Sequence, residues 1–393
     1  MFKIQTLNPI AAVGLNQFPA TRYEVSATQQ SPDAILVRSQ NMHDMVLPDT
    51  IKVIGRAGAG VNNIPIAALT TTGIPVLNTP GANANAVREL VIAGMLLASR
   101  NICQAWNYVN QLNSSDAALE KQIEQDKKQF AGFELLGKTL GLVGLGNIGV
   151  KVANAAISLG MHVIGYDPTI TVNRAWELSA HVEQARSIDD LLARADFISF
   201  HVPLTDETRN MINTSRFQIM KPGVVLLNFA RDGIIDNKDL ITALNDKKVF
   251  AYINDFPNAE LKNHPRVISL PHLGASTKEA EDNCAVMIVK QVRDFLENGS
   301  ISNAVNFPTV DAPPLQSGTR LAIVNANVPN MVAQISAKLA EAKLNIVSLL
   351  NKSRDSIAYT LIDVDSDVNE HLLKQVGSIE GVAQVRKISP VTR

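Results

Sequence analysis

The residues best suited to chemistry fall in a few short stretches. Gly144-Leu145-Gly146-Asn147-Ile148-Gly149 is a GxGxxG that directly follows an apolar run, Leu140 to Val143, and opens a helical one. Such a turn cradles a pyrophosphate: Gly144 makes the tight turn, Gly146 lets the backbone approach the phosphates, and Gly149 allows close packing of helix on strand. The helix that starts at the turn adds free N–H groups and the positive end of its dipole. A bare GxGxxG is a common glycine-rich turn. Here it gains weight from Asp167, which ends the apolar run Met161 to Tyr166 about twenty residues past the motif, where the fold places an acid on the adenosine ribose. That acid accepts hydrogen bonds from a ribose hydroxyl and repels a 2′-phosphate, so the expected cofactor is NAD rather than NADP. The plainer use of Asp167 is to open a turn with Pro168.

Hydride chemistry on such a cofactor needs an anchor for a substrate carboxylate and a proton donor or acceptor at the reacting oxygen. Arg231 follows the apolar run Val224 to Asn228, and His272 follows Val267 to Leu270. Both therefore stand at C-terminal strand ends, where open α/β sheets bind ligands. Taken singly, Arg231 reads as a turn-capping surface charge and His272 as a satisfied core histidine. Two suitable groups at two strand ends of one domain favour the chemical reading.

These residues need elements that end at them. Short apolar runs at 34–37, 52–55 and 75–78 are bounded by Gly, Pro or Asn, and the stretch 85–100 is apolar all round, as a buried helix is. Residues 104–130 are polar around Trp106, Leu112 and Ile123, which reads as an exposed helix or a subunit-contact arm. From Thr139 apolar runs and helical stretches alternate as far as VISLPH (267–272), the order of a parallel, doubly wound α/β sheet. A helical stretch at 276–298 ends at Gly299, and Pro308, Pro313 and Pro314 mark a linker, 307–317. Beyond it a βαββαβ order predicts a small ferredoxin-like domain, 318–393, with its helices on one face.

At 393 residues the chain exceeds what one core organises, so two or three domains are expected. Its 36 Lys and Arg against 37 Asp and Glu leave no field to recruit nucleic acid or an anionic membrane, so small molecules and other subunits are the expected partners. Cys103 and Cys284 have no CxxC spacing, which fits a reducing compartment and excludes a cysteine-based zinc site; no metal is expected. No run approaches the ~18 apolar residues of a membrane span. The first residues resemble neither a signal nor a transit peptide, so the expected location is the cytoplasm.

Five longer motifs sharpen this. PHLGAST (271–277), NFARDGIID (228–236), NTPGANANAVREL (78–90), GRAGAGVNNI (55–64) and GKTLGLVGLGNIG (137–149) resemble the D-3-phosphoglycerate dehydrogenase family, within the D-isomer-specific 2-hydroxyacid dehydrogenases. The likeness runs through nearly the whole chain, and the terminal domain is similar to an ACT domain. It implies a Rossmann-type NAD domain at 98–273, inserted in a flavodoxin-like α/β substrate domain made of 1–97 and 274–306. The large intervening domain of the longer family members is missing. The implied reaction is NAD-dependent oxidation of 3-phospho-D-glycerate to 3-phosphohydroxypyruvate, in L-serine biosynthesis, by a homodimer or homotetramer. A glyoxylate or hydroxypyruvate reductase is the nearest alternative enzyme. An NAD(H)-sensing protein with decayed chemistry is the alternative of another class, against which the retention of Arg231 and His272 argues.

Carried onto this sequence, the resemblance implies that His272 is the acid/base and that Arg231 holds the substrate carboxylate and carbonyl oxygen, a task suited to a bidentate guanidinium. Arg38 and Ser39, and Arg56 with Gly58 and Asn62, match the segments that hold the substrate, Arg56 serving a phosphate. Further cofactor contacts are implied for His201, Val202, Pro203, Thr208, Phe229, Ala230, Asp255 and Gly274. One position departs from the pattern. The family carries a glutamate, three residues after the Phe of its DVFxxE motif, that pairs with the histidine; here that position is Ala259. Glu260, next door, is expected to take over if the loop shifts by one residue. In the terminal domain the family binds serine between paired domains through an HxNxPG-like turn and an Asn before the second strand. Asn325, Asn327 and Asn345 occupy the matching places, but Asn325 replaces the His and Asn330 the Gly, so dimerisation without an effector competes with serine regulation.

Overall fold

The computed structural model describes residues 1–113 and 116–390. Their contacts fall into two compact units, 1–83 with 281–393, and 84–280. In the first, β1 (Phe2–Thr6), β2 (Tyr23–Ser26), β3 (Ala34–Val37), β4 (Val53–Arg56) and β5 (Val76–Leu77) form a parallel sheet in the order β2-β1-β3-β4-β5. This is the flavodoxin-like order. The central strand β3 is buried at every position, as an apolar run in a sheet covered on both faces must be. Against this sheet the helix Lys278–Asn298 packs Cys284, Ile288, Val292 and Phe295. It can seat so closely because β4 carries Gly55, where a Cβ would stand 2.8 Å from Ile288.

In the second unit, β6 (Thr139–Val143), β7 (His162–Tyr166), β8 (Val182–Gln184), β9 (Phe197–Phe200), β10 (Val224–Asn228), β11 (Val249–Asn254) and β12 (Val267–Ser269) form a parallel sheet, β12-β11-β10-β9-β6-β7-β8. The order reverses between β6 and β9, the switch point at which doubly wound sheets bind ligands. One face is covered by the helices Asn147–Ser158 and Ala84–Ser99 through Val150, Ala153, Val87, Val91 and Met95. The other is covered through Leu191, Phe217, Leu240 and Leu244. The helix Ala84–Ser99 therefore belongs in contacts to this sheet, and the division falls before it, at 83/84, where the sequence suggested 97. Residues 104–130 hold the helices Ile102–Asn110 and Asp116–Asp126 and a 3-10 turn, with Trp106 69% exposed on the first.

The first unit also contains β13 (Thr319–Ala326), β14 (Ile346–Arg354), β15 (Ile357–Val364) and β16 (Val382–Ile388), an antiparallel sheet in the order β14-β15-β13-β16. The helices Met331–Glu341 and Glu370–Gly377 cover one face through Ile335, Leu339, Leu372 and Val376. On the other face Ala322, Val324, Tyr359 and Leu361 join the core of the five-stranded sheet. Two arginines reinforce that junction. Arg386 donates to the carbonyls of Leu296 (2.9 Å) and Phe295 (2.7 Å), which end a long helix. Arg320, 2% exposed, grips Asp363 at 2.6 and 2.8 Å and the Asn298 carbonyl at 2.8 Å. The proline-bearing stretch 307–317 is accordingly no free linker, for Phe307 and Val310 are buried and Val310 bridges to Ile301. Among the described residues no helix is long and apolar enough to cross a membrane.

Candidate active site

The glycine turn has the geometry a pyrophosphate needs. Gly144 has φ +95°, and a Cβ on it would stand 2.6 Å from the His201 carbonyl oxygen. A Cβ on Gly149 would stand 2.1 Å from the carbonyl oxygen of Gly144, so only glycine lets the helix start this close to the turn. At Gly146 the same atom would meet nothing within 4 Å: the backbone there faces open space. Gly146 is also the N-cap of the helix Asn147–Ser158 and offers no capping side chain, leaving that helix start open to an anion. The residues present thus fit NAD. Asp167 is fixed beside them: its Oδ2 accepts from the Leu145 N–H at 2.8 Å, and its Oδ1 accepts from the N–H of Thr169 at 2.9 Å. The carboxylate therefore both ties the glycine loop to β7 and makes the turn with Pro168.

His201 leaves β9 beneath the same turn. Its Nε2 lies 3.0 Å from the Ser199 hydroxyl, and its Nδ1 is sealed from solvent without a partner, although the residue as a whole is half-buried. Burial holds this imidazole neutral, with its pKa pushed down to about 4. Beyond it, Thr208 closes the 203–208 loop by donating its hydroxyl to the Pro203 carbonyl at 2.6 Å and accepting from the Thr205 N–H. Val202 is half-buried and Phe229 and Ala230 are buried.

Arg231 is held by its backbone. Asn228, 1% exposed, donates from Nδ2 to the Arg231 carbonyl at 2.9 Å and accepts the Ala230 N–H at Oδ1. The guanidinium donates to the Ala230 carbonyl at 2.6 Å and has no carboxylate partner among the described residues. Burial lowers its pKa, the sign expected of a cation with no anion to offset its desolvation. A substrate carboxylate would supply that anion.

His272 stands two strands away, after β12. Its φ is +57°, a left-handed conformation that a residue with a Cβ adopts only under constraint. The constraint is Asp255. Buried to 1%, its carboxylate accepts the N–H groups of Leu273 at 2.6 Å and Gly274 at 2.7 Å. Burial pushes the Asp255 carboxyl up, opposed by those two N–H groups and by His272. The imidazole is exposed and packs on Phe256, ring centroids 5.1 Å apart. Glu260 is not brought to it. It lies exposed in the turn after Phe256, and among the described residues neither an ion pair nor a hydrogen bond joins it to His272. Ala259 is likewise exposed.

The remaining substrate candidates lie in the first unit. Val37 and Arg56 are register partners, so Arg38 and Arg56 leave adjacent strand ends. Burial pushes the nearby Cys284 thiol up, and the charges of Arg38 and Arg56 both act on it in the opposite direction. Asn8 shapes the loop: its Oδ1 accepts the N–H groups of Arg38, Ser39 and Gln40, each at 3.0 Å. A Cβ at Gly58 would stand 2.4 Å from Arg56 Nη1 and displace the guanidinium. The Asn62 carbonyl is 2.9 Å from His43 Nε2. Arg38 is already engaged by Glu281 at 2.7 Å.

In the small domain Asn325 and Asn327 line one cavity together with Asn330 and Asn351, and Asn345 is not among its lining residues. Asn325 is 1% exposed and satisfied internally, donating to the Ala326 carbonyl and accepting from the Thr360 hydroxyl. Asn327 donates to the Asp355 carbonyl. Asn325 pairs with Ala358 at one end of the sheet, whereas Asn345 precedes the Ile346–Val364 pair at the other.

Sequence reasoning missed Asn8, Asn228, Asn254 and Ser199. For two of them a signal existed: VVLLN and VFAYIN are apolar strands that each end in a lone asparagine.

A flavodoxin-like sheet, a Rossmann sheet with a glycine turn at its switch point, and an arginine and a histidine at two of its strand ends define an NAD-binding α/β protein of the dehydrogenase class. Comparisons agree. Residues 92–274 match the NAD binding domain of D-isomer specific 2-hydroxyacid dehydrogenase. D-3-phosphoglycerate dehydrogenase of Haemophilus influenzae is 32% identical, over 83% of this chain and 78% of the relative. The protein of that name in Methanocaldococcus jannaschii is 38% identical over 80% of this chain but 59% of its own length, so the chain spans little more than half of that longer relative. The crystal structure of NAD+-bound 3-phosphoglycerate dehydrogenase in Entamoeba histolytica superposes with TM-score 0.60 at 28% identity, over 77% of this chain and 98% of that one. This chain belongs to the D-isomer specific 2-hydroxyacid dehydrogenase family, and its C-terminal antiparallel sheet is consistent with an ACT domain.

Proposed function

We propose that this protein oxidises 3-phospho-D-glycerate to 3-phosphohydroxypyruvate with NAD, the step that commits carbon to L-serine. The observation that carries this is the half-buried Arg231 guanidinium, without a carboxylate partner among the described residues, on the same sheet as a histidine that a buried carboxylate holds in a left-handed turn. NAD, when bound, supplies the hydride acceptor for C2 of the substrate. His272 takes the hydroxyl proton in oxidation and returns it in reduction. Arg231 binds the carboxylate and polarises the C2 oxygen. Asp167 selects NAD over NADP, and the N–H groups at Gly146 to Ile148 receive the pyrophosphate. Arg56, with Arg38, Ser39, Gly58 and Asn62, holds the phosphate end. The test is Arg56→Ala: KM for phosphohydroxypyruvate should rise far more than KM for hydroxypyruvate, and an equal rise would leave Arg56 a structural residue.

A second reading has one observation in its favour. The Arg38–Glu281 pair neutralises one of the two arginines, which suits an unphosphorylated acid, and the protein would then be a glyoxylate or hydroxypyruvate reductase. The C-terminal domain we read as a self-association module of a homodimer or homotetramer rather than a serine sensor. Asn325 is 1% exposed with a donor and an acceptor already engaged within the domain, while the edge strand β14 exposes Val347 and Leu349.

A further inference from the structure

Two strands of the Rossmann sheet end in the same way. β10 and β11 are apolar until their last residues, Asn228 and Asn254, which are register partners, each 1% exposed. Each asparagine turns the chain by accepting, at its side-chain oxygen, the N–H two residues on: Ala230 at 3.2 Å and Phe256 at 2.9 Å. Each side-chain NH2 then fastens the element beyond. Asn228 donates to the Arg231 carbonyl at 2.9 Å, and Asn254 donates to the hydroxyl of Ser269, its register partner on β12, at 3.0 Å. The two turns are joined, because the Asp255 N–H donates to the Asn228 carbonyl at 3.2 Å.

We infer that Asn228 and Asn254 are a matched pair of positioning residues, Asn228 for Arg231 and Asn254 for His272; this rests on the roles given above to Arg231 and His272. The turn at Asn228 fixes the backbone from which the guanidinium springs. The turn at Asn254 presents Asp255 and Phe256, the first of which accepts the N–H groups beyond His272 while the second packs against its ring. An apolar residue would strand the Ala230 N–H and the Arg231 carbonyl at one turn, or the Phe256 N–H and the Ser269 hydroxyl at the other, and each turn would open toward a conformation that satisfies them. The consequences differ by site: a displaced Arg231 weakens the hold on a 2-oxo acid, whereas a displaced His272 slows proton transfer.

The test uses near-isosteric leucine variants of the full chain, with oxamate as a non-reacting 2-oxo acid analogue and NADH binding followed by fluorescence. Asn228→Leu should raise the oxamate inhibition constant about tenfold, with an accompanying fall in kcat because Arg231 also polarises the C2 oxygen. Asn254→Leu should lower kcat about tenfold while the oxamate constant stays within about threefold. Asn254→Asp should recover most of that loss, because its carboxyl still accepts the Phe256 N–H and the Ser269 hydroxyl can turn round to donate. If Asn254→Leu does not fold, Ser269→Ala, which removes only the second partner, should give a milder fall in kcat alone. An unchanged oxamate constant in Asn228→Leu, a comparable rise of that constant in Asn254→Leu, or an unchanged kcat in Asn254→Leu would overturn the inference. His272→Asn and Arg231→Ala are run alongside. If these do not produce the kcat and oxamate signatures respectively, the assigned roles fail first and the pair falls with them.

Discussion

Replacing Asp255 with asparagine changes one atom and removes half of what holds the histidine loop. The carboxylate accepts two backbone N–H groups, at 2.6 and 2.7 Å, from a position 1% exposed to solvent. An amide can accept only one of them, and its NH2 would face the other N–H. A charge-assisted hydrogen bond contributes about 1.5–3 kcal/mol. Keeping a residue with a Cβ in the left-handed region costs about 1–2 kcal/mol, and His272 is in that region at φ +57°. Losing one bond therefore removes as much free energy as the strain it offsets, and the loop should leave its catalytic conformation most of the time. At about 1.4 kcal/mol per tenfold, Asp255→Asn should reduce kcat by roughly 10- to 100-fold. Steady-state NADH oxidation at saturating 2-oxo acid measures this, with calorimetry to confirm that the melting temperature stays within a few degrees. A kcat within about threefold of wild type would mean that the clamp does not set the position of His272.

Two glycines of the turn should separate binding from folding. Gly146→Ala adds a Cβ into open space, so the melting temperature should hold while NADH affinity falls; Gly149→Ala puts a Cβ 2.1 Å from a carbonyl oxygen and should lose both. Undiminished NADH binding by Gly146→Ala would remove that backbone from the pyrophosphate site. His201 should impose an acid limit on stability. Its folded pKa, about 4, lies below the ordinary 6.5, so the unfolded chain takes up the proton first. Its contribution is complete above pH 6.5 and is lost as pH falls toward 4, about 3 kcal/mol over that window. Urea titrations at pH 7 and 4.5 should show this loss shrinking in His201→Gln, and an identical loss in both proteins would refute it. At the departed acid position, Glu260→Gln should be nearly silent and Ala259→Glu should raise turnover, since among the described residues no ion pair or hydrogen bond joins Glu260 to His272. A large fall in turnover on Glu260→Gln would show that the two do pair in the working enzyme.

The sequence carried the architecture because the signals for it are local. Alternating apolar runs and helices, a glycine turn after the first Rossmann strand and prolines after the long helix are each read within a few residues. What it hid depends on distant contacts. β1 and β2 lie in a stretch broken by Pro and Asn, and β8 is a three-residue edge strand whose Glu183 and Gln184 face solvent, so none has a clear period. The helix Ala84–Ser99, expected to be apolar all round, in fact exposes Asn85, Glu89 and Leu96, and nothing in its own residues says which sheet its apolar face covers. Within the candidate site, Arg231, His272 and Gly144 to Gly149 can be singled out from the sequence by type and by place at strand ends. Their supports cannot, because Asp255 acts on main-chain groups 18 and 19 residues away. Asn8 likewise acts on a loop 30 residues away.

The most direct test is the specificity of NADH oxidation by the wild-type protein, comparing kcat/KM for 3-phosphohydroxypyruvate, hydroxypyruvate and glyoxylate under one set of conditions. Charge-assisted contacts from Arg56 and its neighbours should favour the phosphorylated acid by roughly 10- to 100-fold over hydroxypyruvate, with glyoxylate lower still. A kcat/KM for hydroxypyruvate or glyoxylate equal to or above that for phosphohydroxypyruvate would contradict the account and leave this chain a reductase of small 2-oxo acids.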